Sequence, residues 1–182
     1  MTALPDLPDD PNPPAVPDLP DGGGLPGDAD LLRLDRQICF SLNAAARAFG
    51  GVYRVLLKDL GLTYPQYLVM LVLWEHGDLP VKRIGAHLRL DSGTLSPLLK
   101  RLEAAGLVRR ERSPEDERSV TVGLTDEGSA LRDRAGRVPR RLLAATGLPV
   151  EDLAALRGLL DRVTLALDTA VPGLTAADRT SG

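Results

Sequence analysis

The chain of 182 residues contains a single cysteine, Cys39, whose chemistry is that of an isolated thiol. A thiolate can attack the oxygen of a peroxide and become a sulfenic acid. One cysteine excludes an intrachain disulfide and a four-cysteine metal site. The sulfenic acid would therefore react with a small cellular thiol, condense with a backbone nitrogen or oxidise further. The alternative is a buried structural thiol, because free cysteine is among the most buried residue types.

A second candidate site lies on the predicted helix that Asp91 or Ser92 caps and Gly106 ends. Its apolar arc, expected to face the core, consists of Leu95, Leu98, Leu99 and Leu102. The other surface combines small, hydroxyl and basic side chains, which let a backbone approach a DNA groove and neutralise phosphates. The candidate DNA contacts there are Ser92, Gly93, Thr94, Ser96, Pro97, Lys100 and Arg101. An ordinary solvated helix surface is the alternative.

Two short strand-like segments follow at 107–112 and 119–124, joined by the charged residues 113–118. A recognition helix followed directly by a hairpin is the order of a winged helix-turn-helix, whose hairpin tip can place an arginine in the minor groove. Arg118 is the candidate for that role, with Asp116 orienting its guanidinium. At the start of the hairpin, Arg110 is a candidate phosphate contact, and Arg109 beside it is either a second one or solvated charge.

The elements that position these residues follow from periodicity and from the glycine and proline positions. A helical pattern runs from Asp30 to Gly61, where Gly50 and Gly51 are expected to loosen or bend it. Further helices are predicted from Thr63 to Gly77, over 81–88, and after Thr125, with a kink or split near Val138 caused by Pro139. The last helix is expected to span roughly 150–170. Leucine and alanine dominate, so we expect one mainly helical domain with extensions.

Charge is unevenly distributed along the chain. The formal net charge is −3, but residues 1–29, rich in proline, glycine and aspartate, are expected to form a disordered acidic tail. Beyond Asp30 the balance is mildly basic. No signal peptide and no apolar run near twenty residues is present, so we expect a cytoplasmic protein with no membrane partner. His76 and His87 lack metal-ligand spacing, and neither a metal nor a cofactor is expected.

Three stretches carry a family resemblance: residues 62–67 (LTYPQY), 90–95 (LDSGTL) and 113–118 (SPEDER). With the surrounding residues 35–131 they resemble the MarR family of winged-helix repressors, and more narrowly its organic-hydroperoxide-resistance (OhrR) branch. The resemblance implies a mainly α fold with a small β-wing, and a homodimer. It assigns dimerisation to the helices in 30–62 and 126–171, and DNA binding to the winged helix-turn-helix in 63–125. Residues 172–182 are expected to be a disordered end.

The resemblance also implies that Cys39 is the redox-sensing cysteine, oxidised by organic hydroperoxides, and that its oxidation releases the DNA. Tyrosine hydroxyls support the thiolate in this branch, and Tyr53 and Tyr64 stand at two of the matching positions. The third tyrosine, one helical turn after the cysteine, is replaced by Asn43. An amide can still donate a hydrogen bond, but over a shorter reach.

Fourteen residues separate Cys39 from Tyr53, which is roughly 21 Å along an unbroken helix. Either the chain folds back at Gly50 and Gly51, or the tyrosine comes from the partner across a two-fold axis, as the resemblance implies. We favour the second. Tyr53, Tyr64 and Tyr67 could equally fill a core or an interface, and Tyr67 is the strongest candidate for a filler.

Three functions are compatible with these residues. The first is a repressor that senses organic hydroperoxides through Cys39, binds an inverted-repeat operator with half-sites about 10 base pairs apart, and uses a low-molecular-weight thiol as a further reactant. The second is a repressor released by a noncovalent aromatic or carboxylate ligand, bound in the cleft between the dimer helices and the DNA-binding lobes. The third, a small thiol peroxidase, leaves the helix and wing without a purpose, so we do not expect an enzyme.

Overall fold

The computed structural model describes residues 32–112 and 119–180, with side chains up to residue 170. The expected acidic tail, and the candidates Asp116 and Arg118, lie outside these ranges. The chain forms two compact units that meet in sequence between Ala48 and Phe49. None of the helices in the described ranges is both long and apolar enough to cross a bilayer.

The first unit contains a short 3₁₀ turn, Leu34–Arg36, and the start of helix α1, which spans Ile38–Leu56. The helix begins later than Asp30 because Gln37 has an extended backbone conformation, with φ −84° and ψ 104°. It is continuous through Gly50 and Gly51 and ends before Gly61, because a second 3₁₀ turn, Lys58–Leu60, takes up the residues between.

The second unit holds the helix-turn-helix. Helix α2 (Tyr64–His76) begins with a capping box in which the Thr63 amide donates to Gln66 Oε1 at 2.8 Å. Helices α3 (Val81–Leu88) and α4 (Ser92–Ala104) follow, as the sequence predicts. Gly85 of α3 lies under the turn between them, where an added Cβ would approach the Leu90 carbonyl oxygen to 2.8 Å.

The wing is an antiparallel hairpin of β2 (Val108–Arg112) and β3 (Val120–Leu124), in which Arg109 pairs with Gly123 and Arg112 with Val120. A two-residue strand, β1 (Leu79–Pro80), pairs with the other edge of β3 and gives the order β1-β3-β2. Sequence reasoning missed β1, because two residues are too few to show a strand period.

The core of this unit is formed by apolar residues of the helix-turn-helix, the wing and the following helices. Leu95, Leu99 and Leu102 of α4 are buried and Leu98 is half-buried, so the predicted apolar arc is confirmed. Burying a leucine side chain contributes about 1.5–3 kcal/mol, which orients α4 and leaves its polar surface outward.

Three helices complete the chain: α5 (Asp126–Ala135), α6 (Arg137–Thr146) and α7 (Val150–Thr180). The predicted split near Val138 occurs at Gly136, which places Pro139 in the first turn of α6, where a missing N–H is tolerated. Helix α7 continues past the predicted end at Ala170. The helix formers Leu174, Ala176 and Ala177 follow Pro172 and Gly173.

Candidate nucleic-acid interface and thiol site

Helix α4 presents a polar surface whose first turn is held by Asp91. The Asp91 carboxylate accepts hydrogen bonds from the Thr94 amide at 2.8 Å and from the Thr94 hydroxyl at 2.9 Å. These bonds lower the pKa of Asp91. The Ser96 hydroxyl donates to the Ser92 carbonyl at 2.7 Å. Two of the hydroxyls predicted to contact DNA therefore already donate within the helix, and their oxygens remain acceptors.

The remaining α4 candidates lie on the same exposed surface. Ser92, Gly93, Pro97, Lys100 and Arg101 are all exposed. Within the described ranges, neither Lys100 nor Arg101 forms an ion pair. Two unpaired cations on the last turns of a helix with a small, hydroxyl-rich start suit phosphate contacts beside a groove.

The arginines at the start of the wing are engaged inside the fold. Arg110 Nε lies 3.0 Å from Glu103 Oε2 on α4. Arg109 donates to the Leu124 carbonyl, to Asp78 and, at 3.0 Å, to Glu111. Arg109 therefore ties the base of the wing to the loop before α3, and Arg110 would have to leave Glu103 to contact a phosphate.

A groove of about 880 Å³ separates α3 and the start of α4 from the beginning of β3. Its lining includes the apolar Val81, Leu90 and Val120, together with Lys82 and Ser119. We refer to it as the helix–wing groove. Sequence reasoning missed Lys82, although a cation at the start of the first helix of a helix-turn-helix was a signal that could have been used.

Cys39 is exposed in the first unit and is a free thiol. Asn43, one turn further along α1, accepts a hydrogen bond from Arg47 Nη1 through its Oδ1 atom at 3.3 Å. This contact occupies the amide oxygen and leaves the amide N–H groups as donors.

The predicted sensor tyrosines meet in the second unit. The rings of Tyr53 and Tyr64 stack with centroids 4.3 Å apart, and Tyr67 lies 6.0 Å from Tyr53. Burial raises the pKa of Tyr53 to about 12, with smaller contributions from Tyr64 and Tyr67. Burial also raises the pKa of Tyr67, which is only 2% exposed and fills the core as predicted. The Tyr53 hydroxyl is therefore a protonated donor throughout the physiological pH range.

Two further contacts could not be read from the sequence. The imidazoles of His76 and His87 stack at 4.5 Å, yet the described ranges hold no group of three side chains able to ligate a metal. Arg89, in the turn before α4, has a positive φ of 53° and pairs with Asp168 of α7 at 2.5 Å. A non-glycine residue in this conformation is uncommon and marks a constrained turn.

Helices α1 and α7 each leave large apolar side chains exposed. On α1 these are Ile38, Phe40, Leu42, Phe49 and Val55. On α7 they are Val150, Leu156, Leu159, Leu160, Val163, Leu165 and Leu167. Apolar surface on this scale is typical of a protein–protein interface.

Comparison with known proteins agrees with this geometry. A family model described as "Transcriptional regulator SarA/Rot" matches residues 51–134. The chain is 49% identical over 154 residues to the HTH-type transcriptional regulator TtmR of Methylorubrum extorquens, covering 80% of this chain and 79% of that one. It is 47% identical over 131 residues to the organic hydroperoxide resistance transcriptional regulator of Bacillus subtilis, covering 72% and 89%.

The chain belongs to the MarR family of winged-helix transcriptional regulators. Among solved structures of the MarR family, it resembles reduced AbfR of Staphylococcus epidermidis bound to DNA, with a TM-score of 0.68, 35% identity, and coverage of 78% of this chain and 97% of that one. The predicted fold class, mainly α with a small β-wing, is confirmed. As a MarR family member the protein is a DNA-binding transcriptional regulator, and the relatives named here are regulators rather than enzymes.

Proposed function

We propose that this protein is a repressor that senses organic hydroperoxides by oxidation of Cys39 and then releases its operator. The observation that carries the proposal is the exposed, unpaired Cys39 thiol in a chain 47% identical to an organic hydroperoxide resistance regulator. Exposure matters because a peroxide must reach the sulfur, and a buried structural thiol would be inert.

The chemistry needs only the thiolate and the peroxide. The Cys39 sulfur attacks the terminal peroxide oxygen, an S–O bond forms, and the O–O bond breaks. The alkoxide leaves and takes up a proton to become an alcohol, while the sulfur is oxidised to a sulfenic acid. A low-molecular-weight thiol then displaces hydroxide as water and forms a mixed disulfide, because the chain has no second cysteine.

Tyrosine hydroxyls are the proposed donors to the thiolate. Tyr53, with its pKa raised to about 12, stays protonated and can donate. Tyr64, stacked on it and 40% exposed, is the second donor. Asn43 replaces the third tyrosine, and its amide N–H groups provide a weaker substitute with a shorter reach.

A homodimer brings these groups together. Helix α1 continues through Gly50 and Gly51, which favours the alternative in which the partner supplies the tyrosines. The exposed apolar residues of α1 and α7 are the proposed dimer surface. Two winged helix-turn-helix units related by a two-fold axis would then bind an inverted-repeat operator with half-sites about 10 base pairs apart.

On the DNA, α4 is the proposed major-groove element. Arg118 of the wing is the proposed minor-groove contact, with Asp116 orienting its guanidinium. Lys100 and Arg101 are the proposed phosphate contacts. Arg110 joins them only if its pair with Glu103 opens.

The decisive experiment compares the unaltered protein with Cys39→Ser on operator DNA, before and after addition of cumene hydroperoxide. Both proteins should bind when reduced, and only the unaltered protein should dissociate. Mass spectrometry of that protein should show oxygen addition or a thiol adduct on Cys39. Release of Cys39→Ser by the peroxide, or retained binding by fully modified protein, would refute the proposal.

A second candidate function is supported by a groove of about 510 Å³ between α2 and the α5–α6 junction. Tyr67, Leu71 and Trp74 give it an aromatic and apolar wall. Its charged lining residues are Glu75 and Arg132, and Arg132 forms no ion pair among the described residues. An aromatic carboxylate would suit this lining. Calorimetry with salicylate as the probe, on the protein and on Arg132→Ala, tests this candidate, and absence of heat with the unaltered protein excludes salicylate-type binding.

A further inference from the structure

The helix–wing groove combines an apolar floor with a polar and cationic rim. Val81, Leu90 and Val120 line the floor, where they are half-buried, and the fully buried Leu95 lies beneath them. Ser92 and Ser119 also line it. A volume of about 880 Å³ is enough for several residues of an extended peptide.

Cations stand on both sides of this groove. Lys82 lines it from α3. Arg112 pairs with Val120 in the wing, and directly opposed residues of antiparallel strands point to the same side of the sheet. Among the described residues neither forms an ion pair. The acidic Asp91 at the groove edge is occupied by Thr94, so the rim can accept anionic groups.

The N-terminal segment repeats a short pattern of apolar and acidic residues, which complements the apolar floor and the cationic rim of the helix–wing groove. Residues 1–30 contain seven aspartates and no lysine or arginine. Four of the aspartates end an apolar-Pro-Asp triplet, at 4–6, 7–9, 16–18 and 19–21. Each triplet offers one leucine or valine, a proline that favours the polyproline II conformation, and one carboxylate.

We propose that the apolar-Pro-Asp triplets of residues 4–21 bind the helix–wing groove and compete there with DNA. The leucine or valine would contact the apolar floor, and the aspartate would pair with Lys82 or Arg112. The bound proline-rich strand would use the polyproline II recognition mode, in which the preformed conformation lowers the entropic cost of binding.

Length permits this contact in either protomer of a dimer. The triplet aspartates lie 11 to 26 residues before Leu32. At about 3.1 Å per residue in a polyproline II conformation this is a span of roughly 34 to 81 Å, against the roughly 30 Å diameter of a small domain. Tethering also supplies a millimolar effective concentration, so a weak single-triplet affinity suffices.

Docking of the acidic segment would affect binding to unrelated DNA and to the operator differently. Nonspecific DNA binding depends almost entirely on phosphate contacts, which the acidic segment would oppose, whereas an operator adds base contacts. The segment would therefore weaken binding to unrelated DNA more than binding to the operator, and would raise the specificity ratio. This inference rests on the DNA-binding part of the proposed function and is independent of Cys39.

The test compares three variants with the unaltered, reduced protein on a duplex of unrelated sequence at low ionic strength. One lacks residues 2–28. The second replaces three triplet aspartates, Asp9, Asp18 and Asp21, with asparagine. The matched control replaces the three aspartates outside the triplets, Asp10, Asp28 and Asp30, with asparagine.

Removal of residues 2–28 should tighten binding on the order of tenfold, the triplet variant should recover most of that gain, and the control only a small part. Operator affinity should change less. Unchanged binding after the deletion overturns the proposal. An equal gain in the control also overturns it, because charge alone would then explain the effect.

A DNA-independent measurement separates this inference from the proposed function. A synthetic peptide of residues 1–22 is added to the isotope-labelled deletion variant while amide resonances are followed. Shifts at Lys82, Arg112 and Val120 are expected, and Lys82→Ala should weaken them. Absence of shifts in the groove refutes docking even if DNA binding is normal, whereas groove shifts in a protein that binds no DNA would refute only the DNA-binding part.

Discussion

The phenol ring of Tyr53 lies on that of Tyr64, with 4.3 Å between the ring centroids and 28° between the planes. Tyr53 comes from the last turns of α1 and Tyr64 from the first residue of α2. Tyr53 is half-buried, and Tyr64 is 40% exposed. The stack therefore pairs one sheltered hydroxyl with one that solvent can reach.

Removal of the Tyr53 hydroxyl should slow the oxidation of Cys39 without destabilising the fold. Tyr53→Phe retains the ring and its stack, so the unfolding midpoint should change little. Oxidation of Cys39 by cumene hydroperoxide should slow several-fold, because the thiolate loses a donor. Stopped-flow oxidation of reduced protein measures this rate. Tyr67→Phe is the matched control, and an equal slowing in both variants would contradict the assignment.

The same substitution tests the raised pKa of Tyr53. The folded pKa of about 12 lies above the ordinary value of 10.0, so between these values the unfolded chain has lost a proton that the folded chain retains. The contribution of Tyr53 to stability should therefore be constant below pH 10 and fall as the pH rises towards 12. Denaturant unfolding at a series of alkaline pH values should show a smaller fall for Tyr53→Phe.

Recognition-helix capping by Asp91 should control DNA affinity. Asp91→Ala removes both bonds to Thr94, so the first turn of α4 should fray and operator affinity should fall several-fold. Asp91→Asn keeps an acceptor oxygen and should retain most of the affinity. Gel-shift titration, with amide hydrogen exchange at Thr94, distinguishes the two variants.

The pKa of Asp91 is lowered by its bonds to Thr94, so the charged cap stabilises α4 above the ordinary carboxylate range and is lost as the pH falls through the folded value. Amide protection of Thr94 should therefore decline in acid for the unaltered protein and remain flat for Asp91→Asn. An equal decline of Thr94 amide protection in acid for both proteins would show that ionisation of the Asp91 carboxylate is not the cause.

Gly128 should be among the least replaceable residues of the fold. A Cβ at this position would lie 1.9 Å from the Leu107 carbonyl oxygen, and that oxygen accepts the Thr125 amide. Gly128→Ala should cost more than about 3 kcal/mol of unfolding free energy. Gly158→Ala on α7 is the control: nothing lies within 4 Å, and the change should stabilise by up to about 1 kcal/mol. Urea unfolding of both variants gives the comparison.

Phosphate contact by the unpaired cation Arg101 has a quantitative signature. Arg101→Ala should reduce the slope of log affinity against log salt by about 0.9, the value for one lost phosphate contact. Arg140→Ala, on α6, makes the same change of charge and should leave the slope almost unchanged. Equal slopes for both variants would exclude Arg101 from the interface.

Local features of the sequence predicted the order of elements. Capping residues such as Thr63 and Thr125 act within three or four residues of themselves, so they mark helix starts in any fold. The leucine spacing of α4 likewise fixed its buried face. The predicted start of α1 and the predicted end of α7 were wrong, at Gln37 and beyond Ala170. At a helix end, helical and non-helical conformations differ in free energy by only about 1 kcal/mol per residue.

The sequence alone thus determined a winged helix-turn-helix preceded by a helix with one thiol, because helical period, turn residues and caps are short-range properties. Only the tertiary structure decided that Arg109 and Arg110 form ion pairs within the fold, with Asp78 and Glu103. It also decided that Tyr53 stacks on Tyr64, that Arg89 pairs with Asp168, and that a groove opens between α3 and the wing. Each of these relationships joins residues 7 to 79 positions apart, and contacts at such separations are set by packing of the whole core rather than by any local pattern.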